Sequence, residues 1–204
     1  FDDKRVRQAI GHAIDKEALV RTILKGMMIP AYTMLPHHFP GNVGDKYNQH
    51  QAFNQERARS LLAEAGYPDG KGFPVKELWL ADASAGSAIS QASQAIQEML
   101  KENLNIDIKI RNTEGGAYRT SMYNWEMPMS VISFGYDFPD PHSMLGIIWR
   151  SQPKGYTRHD WQNARFDRLI DSAAGEMNPV RRMAMYDEAE GILETRSISP
   201  SLQP

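Results

Sequence analysis

Two carboxylates, Asp137 and Asp140, sit in the run Ser133-Phe134-Gly135-Tyr136-Asp137-Phe138-Pro139-Asp140-Pro141. Pro139 and Pro141 fix their own φ and push the residue before each away from helix, so this aromatic loop is stiff. Asp140 is placed to cap a helix beginning at Pro141, which is a structural duty. Asp137 has no such duty. It follows a strand predicted over 129–134, and open α/β sheets tend to seat ligands just past the C-terminal ends of their strands. A carboxylate among rings suits a cation such as a peptide α-ammonium, through charge-assisted hydrogen bonding and ring contact. Two other readings stay open on these residues. Asp137 could be a solvated loop residue beside core aromatics, or a hydrolase could pair it with Asp140 or His159 as an acid/base couple.

A second cluster follows: Trp149, Tyr156 and Arg158-His159-Asp160-Trp161-Gln162-Asn163. Rings with polar tips line pockets well, and Trp149, Tyr156 and Trp161 could stack on sugar faces. Trp149 reads as core, as do Phe166, Leu169, Ile170 and Ala173 by helical spacing, which leaves His159, Asp160 and Trp161 undecided. The six histidines do not make a metal site. His37 and His38 are adjacent and point in different directions, and no two His stand at i, i+4. His12 reads as a partly buried or surface residue. The absence of cysteine removes thiolate metal sites, disulfides and cysteine nucleophiles together. Ser133-Phe134-Gly135 lacks the flanking glycines of a nucleophile elbow, and Glu114-Gly115-Gly116 lacks phosphate-loop spacing. No catalytic residue, metal or cofactor is expected.

The elements that must position these residues follow from periodicity. Val6, Ala9, Ile10, Ala13 and Ile14 form one helical stripe. Asp15 caps a helix over 16–25 that ends at Gly26, and Asn54 caps one over 55–65. Residues 27–53, with Pro30, Pro36, Pro40, His37, His38 and His50 and little periodicity, read as a long surface excursion. Tyr67 to Pro74 is a turn. Strands are expected at 75–80, at 106–111, where Ile106, Ile108 and Ile110 alternate with polar residues, and at 129–134. Helices are expected at 87–103, 116–123, 141–149, 166–174 and 179–193, the last opened by Asn178-Pro179. Strands alternating with helices make the class α/β or α+β with one main sheet.

The 204 residues carry 23 Lys plus Arg against 25 Asp plus Glu, a formal charge of −2. That balance argues against a surface built to hold nucleic acid. With 41% hydrophobic and 24% charged residues, the chain has ordinary globular usage rather than that of a disordered one. No run approaches the roughly 18 apolar residues of a membrane span. The opening Phe1-Asp2-Asp3-Lys4-Arg5-Val6-Arg7 enters a helix almost at once and reads as mid-protein text, which points to a domain of a longer protein.

Taken together, the residues resemble the large solute-binding proteins of ABC importers for oligopeptides, dipeptides and nickel complexes. The similar stretches are Val6-Arg7-Gln8-Ala9-Ile10 with Ala13-Ile14-Asp15-Lys16-Glu17-Ala18-Leu19, and Gly26 with Pro30-Ala31. They continue with Ala58, Leu61-Leu62-Ala63-Glu64-Ala65-Gly66-Tyr67, then Tyr136-Asp137-Phe138-Pro139-Asp140-Pro141. The last is Asn163, Phe166-Asp167, Leu169-Ile170 and Ala173. Five matches in order cover nearly the whole chain.

The resemblance implies one lobe, residues 1–204, of a two-lobed periplasmic-binding-protein-like (Venus flytrap) fold with a mixed sheet flanked by helices. It implies a periplasmic or extracellular receptor lobe, associated with the membrane through parts outside this chain. The partners implied are the other lobe, the membrane permease of an ABC importer, and a peptide or other small solute. The acidic ammonium anchor of peptide-binding members falls on Asp137 and a common aromatic on Phe134. Gly135 and Tyr136 complete the expected wall, with Trp161 and His159 as further contacts. Dipeptide binders carry an Arg near the helix start at Ser87. Ala85-Gly86-Ser87-Ala88-Ile89-Ser90-Gln91 has none, which speaks against a strict dipeptide role. Relatives also bind oligosaccharides or metal chelates, so the ligand class stays open.

Overall fold

The computed structural model describes residues 2–132, 135–195 and 201–203. The chain opens with helix α1 (Lys4–Ala13), capped by the Asp3 side chain and turning its buried residues Val6, Ala9, Ile10 and Ala13 inward. Asp15 then accepts from the Ala18 N–H and starts α2 (Lys16–Ala18), which continues as a π-helical turn over Leu19–Ile23. Strand β1 (Ile29–Ala31) and a 3-10 helix (Gly44–His50) lead to α3 (Gln55–Glu64), capped by Asn54.

The sheet-forming section runs β2 (Lys76–Ala81), α4 (Ala88–Leu104), β3 (Ile108–Thr113), α5 (Gly115–Tyr123) and β4 (Met129–Ser130). A π-helical turn (His142–Gly146) runs into α6 (Ile147–Trp149), followed by α7 (Ala164–Gly175), α8 (Pro179–Glu194) and β5 (Ser201–Gln203). The Asn163 and Asn178 side chains cap α7 and α8 as their positions predict.

Strand order in the main sheet is β3-β2-β4, parallel throughout, with Leu78 opposite Ile110 on one side and Met129 on the other. The antiparallel pairing is separate: β1 lies against β5, Ile29 opposite Gln203. The class is α/β. Leu78, Trp79 and Leu80 of the central strand are all buried, as expected for a parallel strand covered on both faces. Leu78 packs with α1, α3 and α4 through Ile10, Leu61, Leu62, Leu100 and Leu104. Trp79 faces the other way, onto Tyr118 and Met122 of α5. A further core gathers Leu35, Phe39, Leu145, Phe166, Ile170, Tyr186 and Leu193. Because α4 and α5 leave the sheet on opposite faces, the C-terminal ends of β2 and β4 border a topological switch point.

Two expectations need correction. Residues 27–53 are not a surface excursion: Ala31, Thr33, Met34, Leu35, Phe39 and Gln51 are buried. A buried irregular segment must find partners for its backbone polar groups, and here distant polar side chains supply them. Lys16, itself 2% exposed, donates from Nζ to the Ala31 carbonyl at 2.8 Å and to Gln51 Oε1 at 2.7 Å. Gln51 Nε2 donates to Glu194, Glu190 Oε1 accepts from the Leu35 N–H at 3.0 Å, and Asn42 Nδ2 donates to the Leu35 carbonyl at 2.7 Å. The strand expected over 129–134 is also shorter. Its ladder covers Met129–Ser130 plus one bond from the Val131 N–H to the Trp79 carbonyl, and Ile132 is exposed. Residues 133 and 134 lie outside the described set, so the expected placement of Phe134 is not addressed.

Candidate functional site

At the C-terminal ends of β2 and β4 the molecule carries a groove of about 640 Å³. Its floor is Ala81 and Asp82 from the end of β2 and Val131 and Ile132 from beyond β4. One wall is Gly115, Tyr118, Arg119, Met122 and Tyr123 of α5, and Ile89 enters from the first turn of α4. Gly135, Asp137, Ser143, Ile147 and Arg158 complete it. Charged and aromatic groups thus meet the apolar side chains of Ala81, Val131 and Ile132, the composition of a ligand seat.

Local chemistry explains how the rim is held. Asp82 Oδ2 accepts from the Gly115 N–H at 2.9 Å, tying the end of β2 to the start of α5. A Cβ at position 115 would stand 2.5 Å from that oxygen, so a side chain there would push the Asp82 carboxylate out of this bond. The Asp137 N–H donates to Ser143 Oγ at 3.0 Å, and Ser143 is buried and donates its own N–H to the Asp140 carbonyl at 2.9 Å. Backbone positions 137 to 143 are therefore fixed while the Asp137 side chain remains exposed on the groove.

Asp140 does what its position predicts. Oδ1 accepts from the His142 N–H at 2.9 Å and the carboxylate forms a fork with Arg182, both bonds 2.8 Å. The Arg182 guanidinium holds the carboxyl below its ordinary value, with a further contribution from the His142 N–H. Its stabilisation is therefore present at neutral pH and lost as pH falls below the usual carboxylate range. Asp140→Ala should lower the unfolding free energy by about 2 kcal/mol in urea denaturation at pH 7, the cap and one partly buried ion pair together. An unchanged midpoint would contradict this account of the loop.

The remaining candidates divide. Gly135 and Asp137 line the groove. Tyr136 is 52% exposed and sets its ring edge-on against Phe39 at 4.9 Å, outside the lining. His159 and Trp161 do not line it either, which corrects their expected place on the wall. His159 stacks on Trp149 at 4.9 Å, with Nε2 2.9 Å from the Ile148 carbonyl, and burial pushes its imidazole below the ordinary value. Trp161 packs edge-on against the buried Phe166 at 5.0 Å. These rings cover the core around α7 because Phe166 buries beneath them. Arg158 belongs to the second cluster already noted, but sequence reasoning missed Asp82, Tyr118 and Arg119. Only the parallel register of β2 with β3 and β4 brings them together, and no local pattern marks it.

A smaller hollow of about 410 Å³, bordered by Glu17, Tyr32, His37 and Asp45, contains none of the expected site residues. Among the described residues no group of three or more His, Asp or Glu could hold a metal ion, and no helix is long and apolar enough to cross a membrane.

The family described as bacterial extracellular solute-binding proteins, family 5 Middle, matches residues 1–156. The oligopeptide-binding protein OppA of Bacillus subtilis is 24% identical over 202 residues, covering 94% of this chain and 35% of that protein. Heme-binding protein A of Haemophilus influenzae is 27% identical over 200 residues, covering 97% and 36%. In three dimensions the chain resembles a periplasmic oligopeptide-binding protein, OppAIV, from Borrelia burgdorferi, with TM-score 0.86 at 25% identity over 99% of this chain and 40% of that one. The chain spans about a third of the length of the curated relatives it matches.

Proposed function

Because the chain belongs to the bacterial extracellular solute-binding proteins of family 5, we propose that residues 1–204 are one lobe of a two-lobed receptor that takes up peptides for an ABC importer. The observation that carries this reading is the groove at the strand ends, with the Asp137 carboxylate exposed on a loop whose backbone is pinned by Ser143. A fixed, solvent-facing carboxylate beside tyrosines and an apolar floor suits a peptide α-ammonium followed by its first side chain. The second lobe would close over the groove by hinge motion, and the closed form would dock on the membrane permease outside the cytoplasm. The name of the relative OppA supports the choice of peptides.

The rival readings find less support. An acid/base couple needs Asp140 or His159 beside Asp137, but Asp140 is engaged by Arg182 and the His142 N–H, and His159 is stacked on Trp149 outside the groove lining. Of the three rings of the sugar reading, Trp149 and Trp161 pack on His159 and Phe166, while Tyr156 stays 77% exposed but does not line the groove. Titration calorimetry of the full-length receptor with a tripeptide and its Nα-acetylated form tests the proposal. Acetylation should weaken binding at least about tenfold, as expected for losing a charge-assisted bond. Equal affinity for the two peptides, or binding of neither, would refute it.

A further inference from the structure

The loop that carries Asp137 is held from a distant part of the chain. Its backbone enters through Gly135, where a Cβ would meet nothing within 4 Å, so no side chain steers the chain at that point. On the carboxyl side of Asp137 the hold comes from Ser143 and from the Asp140–Arg182 fork. On the amino side the described contact is the Tyr136 ring, edge-on to Phe39 with centroids 4.9 Å apart and planes at 67°. Tyr136 is half exposed, whereas Phe39 is 8% exposed and belongs to the core of Leu35, Leu145, Phe166 and Tyr186. A mobile ring thus rests on a fixed one.

Phe39 is fixed in turn. Its N–H donates to the Pro36 carbonyl at 2.8 Å, and its carbonyl accepts from the Asn42 N–H at 3.1 Å. Asn42 Nδ2 donates to the Leu35 carbonyl, and Glu190 of α8 accepts from the Leu35 N–H. The same turn meets the anchor loop a second time: a Cβ at Gly41 would stand 3.2 Å from Pro141 Cγ. Tyr136 and Pro141 therefore bracket Asp137. Both supports lead back to α8, through Arg182 to Asp140 and through Glu190 to Leu35.

A charged anchor is worth most when its place is set before the ligand arrives, because ordering it on binding costs affinity. Resting on the peptide reading above, we infer that Phe39 is a positioning residue for the Asp137 anchor. Its ring seats Tyr136, and that seat sets how strongly the receptor prefers a free amino end.

Titration calorimetry of the full-length receptor would measure the preference for a free-amino tripeptide over its Nα-acetylated form. Four proteins are compared: wild type, Phe39→Leu, Tyr136→Ala and the double variant. Leucine keeps most of the buried apolar volume while removing the ring edge, and Tyr136 is on the surface, so both single variants should fold, which urea unfolding checks. The expected result is a preference of about tenfold or more in wild type, reduced to about threefold or less in each single variant. Affinity for the acetylated peptide should stay the same. The double variant should lose no more than either single one, because both changes remove one contact.

A residue that only stabilises the fold would move the urea midpoint and leave the preference alone. If the preference survives in Phe39→Leu, or the two losses add, the inference falls while the ammonium reading stands. Should Phe39→Leu not fold, an unchanged preference in Tyr136→Ala overturns the inference by itself. If wild type shows no preference, both readings fall.

Discussion

Asparagine in place of Asp137 should weaken binding of a free-amino tripeptide to the full-length receptor by about 30- to 700-fold, or about 2–4 kcal/mol. The loss is that of truncating one partner of a charge pair that the proposed closure of a second lobe would enclose. Asn keeps the shape of the side chain, and the bond that fixes the loop runs from the residue 137 N–H to Ser143 Oγ, which the substitution leaves in place. Stability should therefore barely change, and the effect reads binding alone. The Nα-acetylated peptide completes a double-mutant cycle. It should bind wild type and variant about equally, because each alteration removes the same interaction. A variant that binds the free-amino peptide as tightly as wild type would dismiss Asp137 as the anchor.

The second large effect concerns the fold. Lys16→Met should lower the unfolding free energy by about 3–5 kcal/mol, the range for breaking one partner out of a buried polar network. Methionine fills the space but leaves the Ala31 carbonyl and Gln51 Oε1 without the donor that now sits 2.8 and 2.7 Å away.

The same network carries a pH signature. Burial raises Glu190 to about 7, and burial together with Glu190 raises Glu194 to about 8, against an ordinary 4.5. A folded-state pKa above the unfolded one gives stability that is full below about 4.5 and lost as pH rises through 7 to 8. Burial lowers Lys16 from 10.5 to about 7, so its contribution runs the other way, gained as pH rises from about 7 toward 10.5. Stability should therefore fall between pH 5 and pH 7.5, by up to about 1.4 kcal/mol per unit for each glutamate. Glu194→Gln should flatten that fall. Urea unfolding of the chain at three pH values measures it, and an unaltered slope in Glu194→Gln would contradict the assignment.

Much of the frame is legible in the residues. Asp15, Asn54, Asn163 and Asn178 each cap the helix their position predicts, because capping needs only a short polar side chain and the next few N–H groups. The apolar stripe of α1 and the hydrophobic core of β2 are likewise local patterns. The burial of residues 33–35 is not local, since the group that satisfies the Leu35 N–H is Glu190, 155 positions away. A segment without periodicity looks like surface until such a partner is known.

The site divides the same way. Asp137 stands out because the stiff loop around it leaves its carboxylate without a structural duty. His159 and Trp161 have residue types that suit a pocket and a core equally, and the packing of Phe166 decides for the core. Arg119 joins the site through the parallel register that carries α5 across the sheet, and Arg158 through a loop held to α5 by the Gly155 N–H on the Tyr123 carbonyl.

The central claim is that the groove at the ends of β2 and β4 seats the ligand, and amide chemical-shift mapping tests it most directly. The labelled chain would be titrated with a free-amino tripeptide into the millimolar range, to reach the weak binding expected of one lobe of the proposed receptor. The account predicts shifts clustered at residues 81–82, 115–119, 131–132 and 135–137, saturating together and absent with the acetylated peptide. Shifts centred on Glu17, Tyr32 and Asp45, or spread without a centre, would contradict it.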